Sequence, residues 1–162
     1  MKILFVCLGN ICRSPTAEGV FRKKAADAGI LERLTVDSAG TNNYHPGEPP
    51  DPRTQKHALA RGYDLSALRA RAVQDHDFEQ FDWLLAMDSL NYSTLLHRAE
   101  PAARTKIKRF MEFAPQLNVR EVPDPYYGER GDFEYVLDLV EAASDGLIAH
   151  VTQHLAGQAR RD

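Results

Sequence analysis

The stretch ILFVCLGNICRSPTAEGVF, from Ile3 to Phe21, joins an apolar run to a helical pattern through a short polar loop. Ile3 to Val6 are consecutive apolar residues, which is typical of a strand covered on both faces. From Ser14 onward the apolar residues keep helical spacing, and Gly29 is suited to end that helix. We expect Ser14 to cap the helix and Pro15 to lie in its first turn. The stretch therefore predicts a strand, a tight loop and a helix.

The rest of the chain repeats this alternation. Further strands are predicted at Leu34 to Ala39 and Phe81 to Met87, and the segment from Ile107 to Phe113 fits either a strand or a helix. Helices are predicted at Arg53 to Arg61, Ser89 to His97, and Phe133 to Leu155, where Gly146 weakens the case for an unbroken helix. Alternating strands and helices predict a parallel sheet with helices on both faces.

Composition restricts the class of protein. The chain has 162 residues, of which 43% are hydrophobic and 27% charged, so we expect one globular domain over 1–162. A net charge of −3 argues against bulk electrostatic binding to nucleic acid. No apolar stretch is long enough to cross a membrane, so no membrane insertion is expected. The N-terminus lacks the pattern of a signal peptide, and we expect a cytoplasmic protein.

The loop after the first strand carries the chemistry. Cys7 follows that strand, at the sheet edge where α/β proteins bind ligands, and five residues separate it from Arg13. Backbone N–H groups and the helix N-terminus favour a bound anion, and the arginine fork suits phosphate oxygens. Gly9 is expected to adopt a backbone angle that other residues resist. In this field Cys7 is expected to be a thiolate, placed for in-line attack on phosphorus, with Ser14 donating to the sulfur.

Two alternatives remain open from these residues alone. Cys7 could be a small buried hydrophobic residue without chemistry. Asp124, between Pro123 and Pro125, could protonate a leaving oxygen, and a bound phosphate dianion would favour its protonated form. The same aspartate could instead only hydrogen-bond its own backbone in a turn.

His150 and His154 have the spacing of metal ligands, but no acidic residue accompanies them in a metalloprotease pattern.

The motifs FVCLGNICRSPTAE and DPYYG together resemble the low-molecular-weight protein tyrosine phosphatases. VDSAGT, GEPPDPR, FDWLLAMD and the last helix extend the resemblance over nearly the whole chain. It implies a three-layer α/β/α architecture with a four-stranded parallel sheet, a Rossmann-like or flavodoxin-like phosphatase I fold. It also implies hydrolysis of phosphotyrosine and small aryl phosphates through a cysteinyl-phosphate, with no metal or other cofactor.

The resemblance also assigns roles to individual residues. Cys7 matches the family's nucleophile, Arg13 its phosphate-binding arginine and Asp124 its general acid. Other positions match the phosphate loop and the walls of the cleft: Leu8, Gly9, Asn10, Ile11, Cys12, Ser14, Tyr44 and Tyr127. Asn10 matches the asparagine that holds the loop in shape, and Ser14 the serine that stabilises the thiolate. Ser38 and Asp88 match residues that support the site.

Partners and regulation follow from the same resemblance. It implies phosphotyrosine-containing proteins as substrates, a cognate tyrosine kinase as a partner, and a monomer or weak self-association. Cys12 matches a second cysteine that can form a disulfide with the nucleophile and switch the enzyme off reversibly. Tyr126 and Tyr127 match tyrosines that kinases can modify.

Three other functions are alternatives to tyrosine phosphatase activity. A thioredoxin-coupled arsenate reductase needs further cysteines, and none follows Cys12. A protein-arginine phosphatase carries threonine at the position of Ile11, so Ile11 favours the tyrosine phosphatase. A phosphate-binding module without catalysis would normally lack the nucleophile or the acid, and both residue types are present here.

Overall fold

The computed structural model describes residues 1–161 and contains a four-stranded sheet. Its strands are β1 (Lys2–Cys7), β2 (Thr35–Gly40), β3 (Trp83–Ala86) and β4 (Ile107–Arg109). All neighbouring strands pair in parallel, in the order β2-β1-β3-β4. This order places β1 inside the sheet, with its carboxyl end beside that of β3. Cys7 and the residues after Ala86 therefore meet at one edge of the sheet.

Five α-helices surround the sheet in the described part of the chain. They are α1 (Arg13–Asp27), α2 (Pro52–Ala60), α3 (Asp77–Gln80), α4 (Ser89–Arg98) and α5 (Arg130–Arg161). Short 3₁₀ helices lie at Leu31–Arg33, Pro101–Lys106, Phe110–Phe113 and Pro115–Leu117. None of the helices within residues 1–161 combines the length and the apolar character that a membrane span requires.

The alternation of side chains along β1 creates two cores. Ile3 and Phe5 pack in the larger core, which also contains apolar residues of α1 and α5. Leu4 and Val6 point to the opposite face and pack in the second core, with Leu95 of α4 among its members. Both faces of β1 are thus covered, which confirms the interpretation of the apolar run and the three-layer α/β/α architecture.

Several local predictions need correction. Ser14 does not cap α1, because the helix begins at Arg13 and its N-cap is Cys12, whose side chain makes no capping hydrogen bond. The first N–H groups of α1 thus lack a side-chain cap at the point where the loop is expected to receive an anion. The segment from Ile107 to Phe113 is neither one strand nor one helix. It contains the three residues of β4 followed directly by a 3₁₀ helix at Phe110–Phe113.

The last helix is continuous through Gly146. A Cβ atom built on this glycine would overlap the carbonyl oxygen of Phe113. Glycine therefore allows α5 to approach the 3₁₀ helix at Phe110–Phe113 closely. The sequence suggested that Gly146 could interrupt this helix, but the glycine serves a close contact with Phe113 that the sequence alone does not reveal.

Candidate active site

The loop between β1 and α1 contains an asparagine with an unusual backbone conformation. Asn10 has a φ of 58°, in the left-handed region, although its side chain is almost completely buried. Asparagine adopts this region more readily than most residues. Gly9 does not have a positive φ, so the expectation for that residue was wrong. A Cβ atom at Gly9 would lie 3.4 Å from Cδ2 of His45, so the glycine brings the loop close to the side of the cleft.

The side chain of Asn10 makes three hydrogen bonds that fix its orientation. Its Oδ1 accepts from the backbone N–H of Arg71 at 3.0 Å, so the amide nitrogen must face the other way. Nδ2 donates to Oγ of Ser14 at 2.8 Å and to Oγ of Ser38 at 3.0 Å. Both serine oxygens are therefore acceptors toward Asn10, and each hydroxyl hydrogen is left for another partner.

Each of those two hydroxyl hydrogens has an acceptor within reach. Ser38 donates to Oε1 of Glu18 at 2.8 Å. Oγ of Ser14 also lies 3.0 Å from Sγ of Cys7, so its hydroxyl can donate to the sulfur while the oxygen accepts from Asn10. A hydroxyl donor stabilises a thiolate over a thiol. The predicted positions of Asn10, Ser14, Ser38 and Cys7 thus form one connected network.

Glu18 ends this network and was missed from the sequence. Its side chain is nearly buried, and its second oxygen accepts from Nε of Arg22 at 2.9 Å. Burial raises the pKa of the Glu18 carboxyl, and hydrogen bonds from Ser38 and Arg22 act in the opposite direction. A glutamate on the second turn of a helix gives no sequence signal for burial, because its role depends on β2 lying beside α1.

Arg13 is buried beneath the loop and oriented by two acceptors. Its Nη1 donates to Oδ2 of Asp88 at 2.6 Å and to the carbonyl of Val122 at 3.0 Å. Burial alone would lower the pKa of Arg13, but Cys7 and the carboxylates of Asp88 and Asp124 raise it. The guanidinium therefore stays charged. No atom of residues 1–161 accepts a hydrogen bond from its Nε or Nη2, which leaves one edge of the fork for an anion.

Asp124 lies on the segment between β4 and α5. Its Oδ2 is 3.7 Å from Nη2 of Arg13, and its side chain is 41% exposed. Its Oδ1 accepts from the backbone N–H of Tyr126 at 3.1 Å. Asp124 thus makes the backbone hydrogen bond that is expected of an aspartate in a turn. This bond does not exclude a chemical role for the side chain, because its other oxygen faces Arg13. Asp88 caps α4 by accepting from the N–H of Asn91 at 2.7 Å.

These side chains border a cavity of about 480 Å³. Its lining is Cys7, Leu8, Gly9, Ile11, Cys12, Arg13, Tyr44, His45, Asp124, Tyr126 and Tyr127. Nine of these eleven residues were predicted for the catalytic or binding positions, and the other two are His45 and Tyr126. Tyr44 and Tyr127 are 65% and 95% exposed, so they stand at the mouth. Asn10, Ser14, Ser38 and Asp88 lie behind the cavity and support it.

Cys12 lines the cavity together with Cys7. Both cysteines are free thiols and buried. Burial, with a smaller contribution from Asp51, raises the pKa of Cys12 to about 12. Cys12 therefore remains a neutral thiol near neutral pH. The described residues 1–161 contain no cluster of three or more side chains that could hold a metal ion.

Comparison with known proteins gives a consistent result. The family model described as low molecular weight phosphotyrosine protein phosphatase matches residues 2–157. A low molecular weight protein-tyrosine-phosphatase of Streptomyces coelicolor is 43% identical, with 98% of both chains covered. The crystal structure of a protein tyrosine phosphatase from Entamoeba histolytica superposes with a TM-score of 0.92 at 42% identity, covering 95% of this chain and 98% of that one.

The same fold also occurs in a phosphatase named for another residue. The structure of a Drosophila arginine phosphatase superposes with a TM-score of 0.87 at 29% identity, covering 93% of this chain and 98% of that one. The likeness in fold therefore does not separate the two activities. The match over nearly the full length and the identity to the bacterial relative do settle the family. This chain belongs to the low molecular weight phosphotyrosine protein phosphatases, a family of cysteine-based hydrolases.

Proposed function

We propose that the chain hydrolyses phosphotyrosine in proteins, and small aryl phosphates, in two steps on Cys7. The observation that carries this proposal is the placement of Sγ of Cys7, the free edge of Arg13 and the carboxyl of Asp124 on one cavity. A thiolate, a fixed cation and an acid are the three groups that such a transfer requires.

In the first step the thiolate of Cys7 attacks phosphorus. The S–P bond forms as the P–O bond to the aryl group breaks, and the carboxyl of Asp124 gives its proton to the departing oxygen. Nε and Nη2 of Arg13, with the N–H groups of the loop, bind the equatorial oxygens. The first product is a phenol, and the enzyme holds a cysteinyl-phosphate.

In the second step Asp124, now a carboxylate, takes a proton from water. The water oxygen attacks phosphorus, the S–P bond breaks, and its electron pair returns to the sulfur. The hydroxyl of Ser14, 3.0 Å from Sγ, stabilises the leaving thiolate by donating to it, since a thiolate can only accept. Inorganic phosphate leaves, and Asp124 is protonated again for the next cycle.

The walls of the cavity support an aryl substrate. Leu8 and Ile11 line its inner part, and Tyr44 and Tyr127 stand at the mouth. A flat ring packs well between such side chains, which favours an aryl phosphate over phosphoserine. Ile11 also favours tyrosine over arginine phosphatase activity, because the latter resembles this loop with threonine at that position. We propose phosphotyrosine proteins as substrates, among them a cognate tyrosine kinase.

Cys12 is proposed to protect the nucleophile. A peroxide would convert the Cys7 thiolate to a sulfenic acid, and the sulfur of Cys12 would then form a disulfide with it, releasing water. Because burial raises the pKa of Cys12 to about 12, little of its thiolate exists near neutral pH, and this closure is expected to be slow. Loss of thiol-reversible inactivation in Cys12→Ser would support this role, and full recovery of that variant would leave Cys12 with packing alone.

The test of the function compares substrates in the presence of EDTA. At mildly acidic pH we expect turnover of p-nitrophenyl phosphate and of a phosphotyrosyl peptide, with little turnover of phosphoarginine. Cys7→Ser should abolish turnover and still bind inorganic phosphate, because the loop and Arg13 remain. Faster turnover of phosphoarginine would favour the arginine phosphatase. No turnover by folded, reduced protein would favour a phosphate-binding module.

A further inference from the structure

We infer that Arg53 is a positioning residue that holds the C-terminal side of the Asp124 segment over the active-site cavity, as the hydrogen bonds of Val122 hold its N-terminal side. Its Nη2 donates to the carbonyl of Tyr126 at 2.8 Å. Among residues 1–161, this is the only hydrogen bond that joins Pro123–Gly128 to the rest of the chain. The inference rests on the proposed role of Asp124 as general acid.

Further hydrogen bonds orient the guanidinium of Arg53, whose side chain is 46% exposed. Its Nε and Nη2 donate to the two carboxylate oxygens of Asp51 at 3.1 and 2.9 Å, a bidentate pair. The backbone N–H of Arg53 donates to the same carboxylate at 2.8 Å, which caps α2. Burial acts to raise the pKa of Asp51, but the hydrogen bonds from Arg53 hold that pKa below its ordinary value. The pair is therefore ionised at neutral pH.

Asp51 connects this pair to the phosphate loop. Its backbone N–H donates to the carbonyl of Ile11 at 2.8 Å, between the nucleophile and Arg13 in sequence. The chain of contacts thus runs from the loop through Asp51 and Arg53 to Tyr126, two residues beyond Asp124. The acid is held relative to the loop that binds the phosphate, by directional hydrogen bonds.

Aromatic packing restricts Arg53 further. Its guanidinium carbon lies 5.6 Å from the ring centre of Tyr126 and 4.8 Å from that of Phe133. Tyr126 also packs beside Ile11 and Cys12. Packing keeps the segment against the molecule but gives little control over its height or rotation, because dispersion contacts are not directional. The hydrogen bond to the Tyr126 carbonyl supplies that control, and general acid catalysis depends on placement within a fraction of an ångström.

The structure explains why arginine is needed at this position. One fork must bind a carboxylate, a carbonyl and two ring faces at once, and the single ammonium group of lysine cannot meet all of these partners. We therefore expect Arg53→Lys to retain part of the function and Arg53→Ala less. The sequence contains the motif GEPPDPR but does not show that its arginine reaches a segment 73 positions away.

The test measures kcat/KM on aryl phosphates whose leaving groups differ in basicity, because this constant includes departure of the leaving group. For Arg53→Ala we expect a loss of about tenfold with phenyl phosphate and a clearly smaller loss with p-nitrophenyl phosphate. Inhibition by inorganic phosphate should stay within about twofold of wild type. The double variant Arg53→Ala with Asp124→Ala should be no slower than Asp124→Ala alone, since both act through one proton transfer.

Lys56→Ala is the matched control, because Lys56 is an exposed cation on the same helix and is expected to leave every value unchanged. Three results would overturn the inference. The first is that Arg53→Ala lowers kcat/KM equally for all leaving groups, and the second is that it weakens inhibition by inorganic phosphate. The third is that its loss in kcat/KM adds to that of Asp124→Ala in the double variant. If Asp124→Ala itself shows no dependence on the leaving group, the proposed acid role fails instead. Should Arg53→Ala not fold, Arg53→Lys is read by the same criteria, with an intermediate loss expected.

Discussion

At the scale of single residues, the direction of one hydrogen bond follows from groups several residues away. The backbone N–H of Arg71 can only donate, so the amide of Asn10 has one orientation. Glu18 accepts from Ser38, so Ser38 cannot donate to Asn10. Ser14 accepts from Asn10 and keeps its own hydroxyl hydrogen, with which it can donate to Cys7. A network in which every donor has an acceptor is more rigid than its separate bonds suggest.

The first prediction concerns Glu18→Gln and the pH dependence of stability. Burial raises the pKa of Glu18 in the folded protein above its ordinary value of 4.5. At a pH between the unfolded-state pKa and the folded-state pKa, the carboxyl has lost its proton in the unfolded chain but keeps it in the folded protein. This group therefore contributes less to the free energy of unfolding as pH rises above 4.5. Glutamine does not titrate, so the stability difference should shift toward the variant as pH rises.

Urea unfolding of both proteins below pH 4.5 and at neutral pH measures this shift. Glu32→Gln, at an exposed position, serves as the control and should show little pH-dependent difference from wild type. A difference between Glu18→Gln and wild type that moves the opposite way with rising pH would contradict the assigned environment of the carboxyl.

The contiguous part of the candidate site could be predicted from local spacing, Ser38 and Asp88 only from the family resemblance, and Glu18 and Arg53 not at all. Cys7 to Ser14 run from the end of β1 through the loop into the first turn of α1, so spacing alone places a thiol, backbone donors and an arginine together. Charged residues on helices ordinarily face water; Glu18 is buried and Arg53 is exposed, and the sequence does not distinguish either from other surface charges. Their positions depend on how α1 meets β2 and how α2 meets the segment of Asp124, and no local pattern encodes those contacts.

At the scale of elements, Gly146 sets how closely α5 packs. We predict that Gly146→Ala lowers the free energy of unfolding by about 2 kcal/mol, because the new methyl group would overlap the carbonyl of Phe113 and the backbone must move. Gly157→Ala is the matched control on the same helix, where the nearest atom to a Cβ is Nη2 of Arg161 at 3.8 Å. We expect that change to stabilise the protein by about 0.5 kcal/mol through helix propensity.

Chemical denaturation of the two variants decides this prediction. Equal effects of the two substitutions, or a stabilising Gly146→Ala, would show that α5 does not press against Phe113 as the structure indicates. The comparison separates the tertiary contact from helix propensity, since both substitutions gain the same propensity.

Long periodic elements were predicted well, and short ones were not. The strands β1 and β3 and the helices α1, α4 and α5 lie where the apolar patterns indicated. β4 has only three residues, and the apolar residues that follow belong to a 3₁₀ helix, so neither period is sustained. The helix α3, with four residues, is also too short to show a pattern.

At the scale of the whole molecule, one hydrophobic core connects the sheet to the apolar faces of α1 and α5. Ile3 of β1, Val36 of β2 and Leu85 of β3 belong to the same buried cluster as Val140 and Leu147 of α5. Because α5 completes this core, we propose that the chain folds as a single unit. Trp83, the only tryptophan, lies 5.8 Å from the ring of Phe113, so its fluorescence reports on that core.

We predict that urea unfolding followed by Trp83 fluorescence and by far-ultraviolet circular dichroism gives one coincident transition. Fluorescence reports on packing near α5, and circular dichroism reports on all helices. Separate midpoints would show that part of the molecule unfolds independently, and they would contradict a single cooperative domain.

The central claim is that the phosphoryl group passes through the sulfur of Cys7. The most direct measurement is an acid quench during turnover of a good aryl phosphate, followed by mass spectrometry of the proteolysed enzyme. Asp124→Ala should increase the trapped species, because water attack in the second step then lacks its base. We predict one added phosphoryl group on the peptide that contains Cys7. A phosphoryl group on another residue, or none while product forms, would contradict the mechanism.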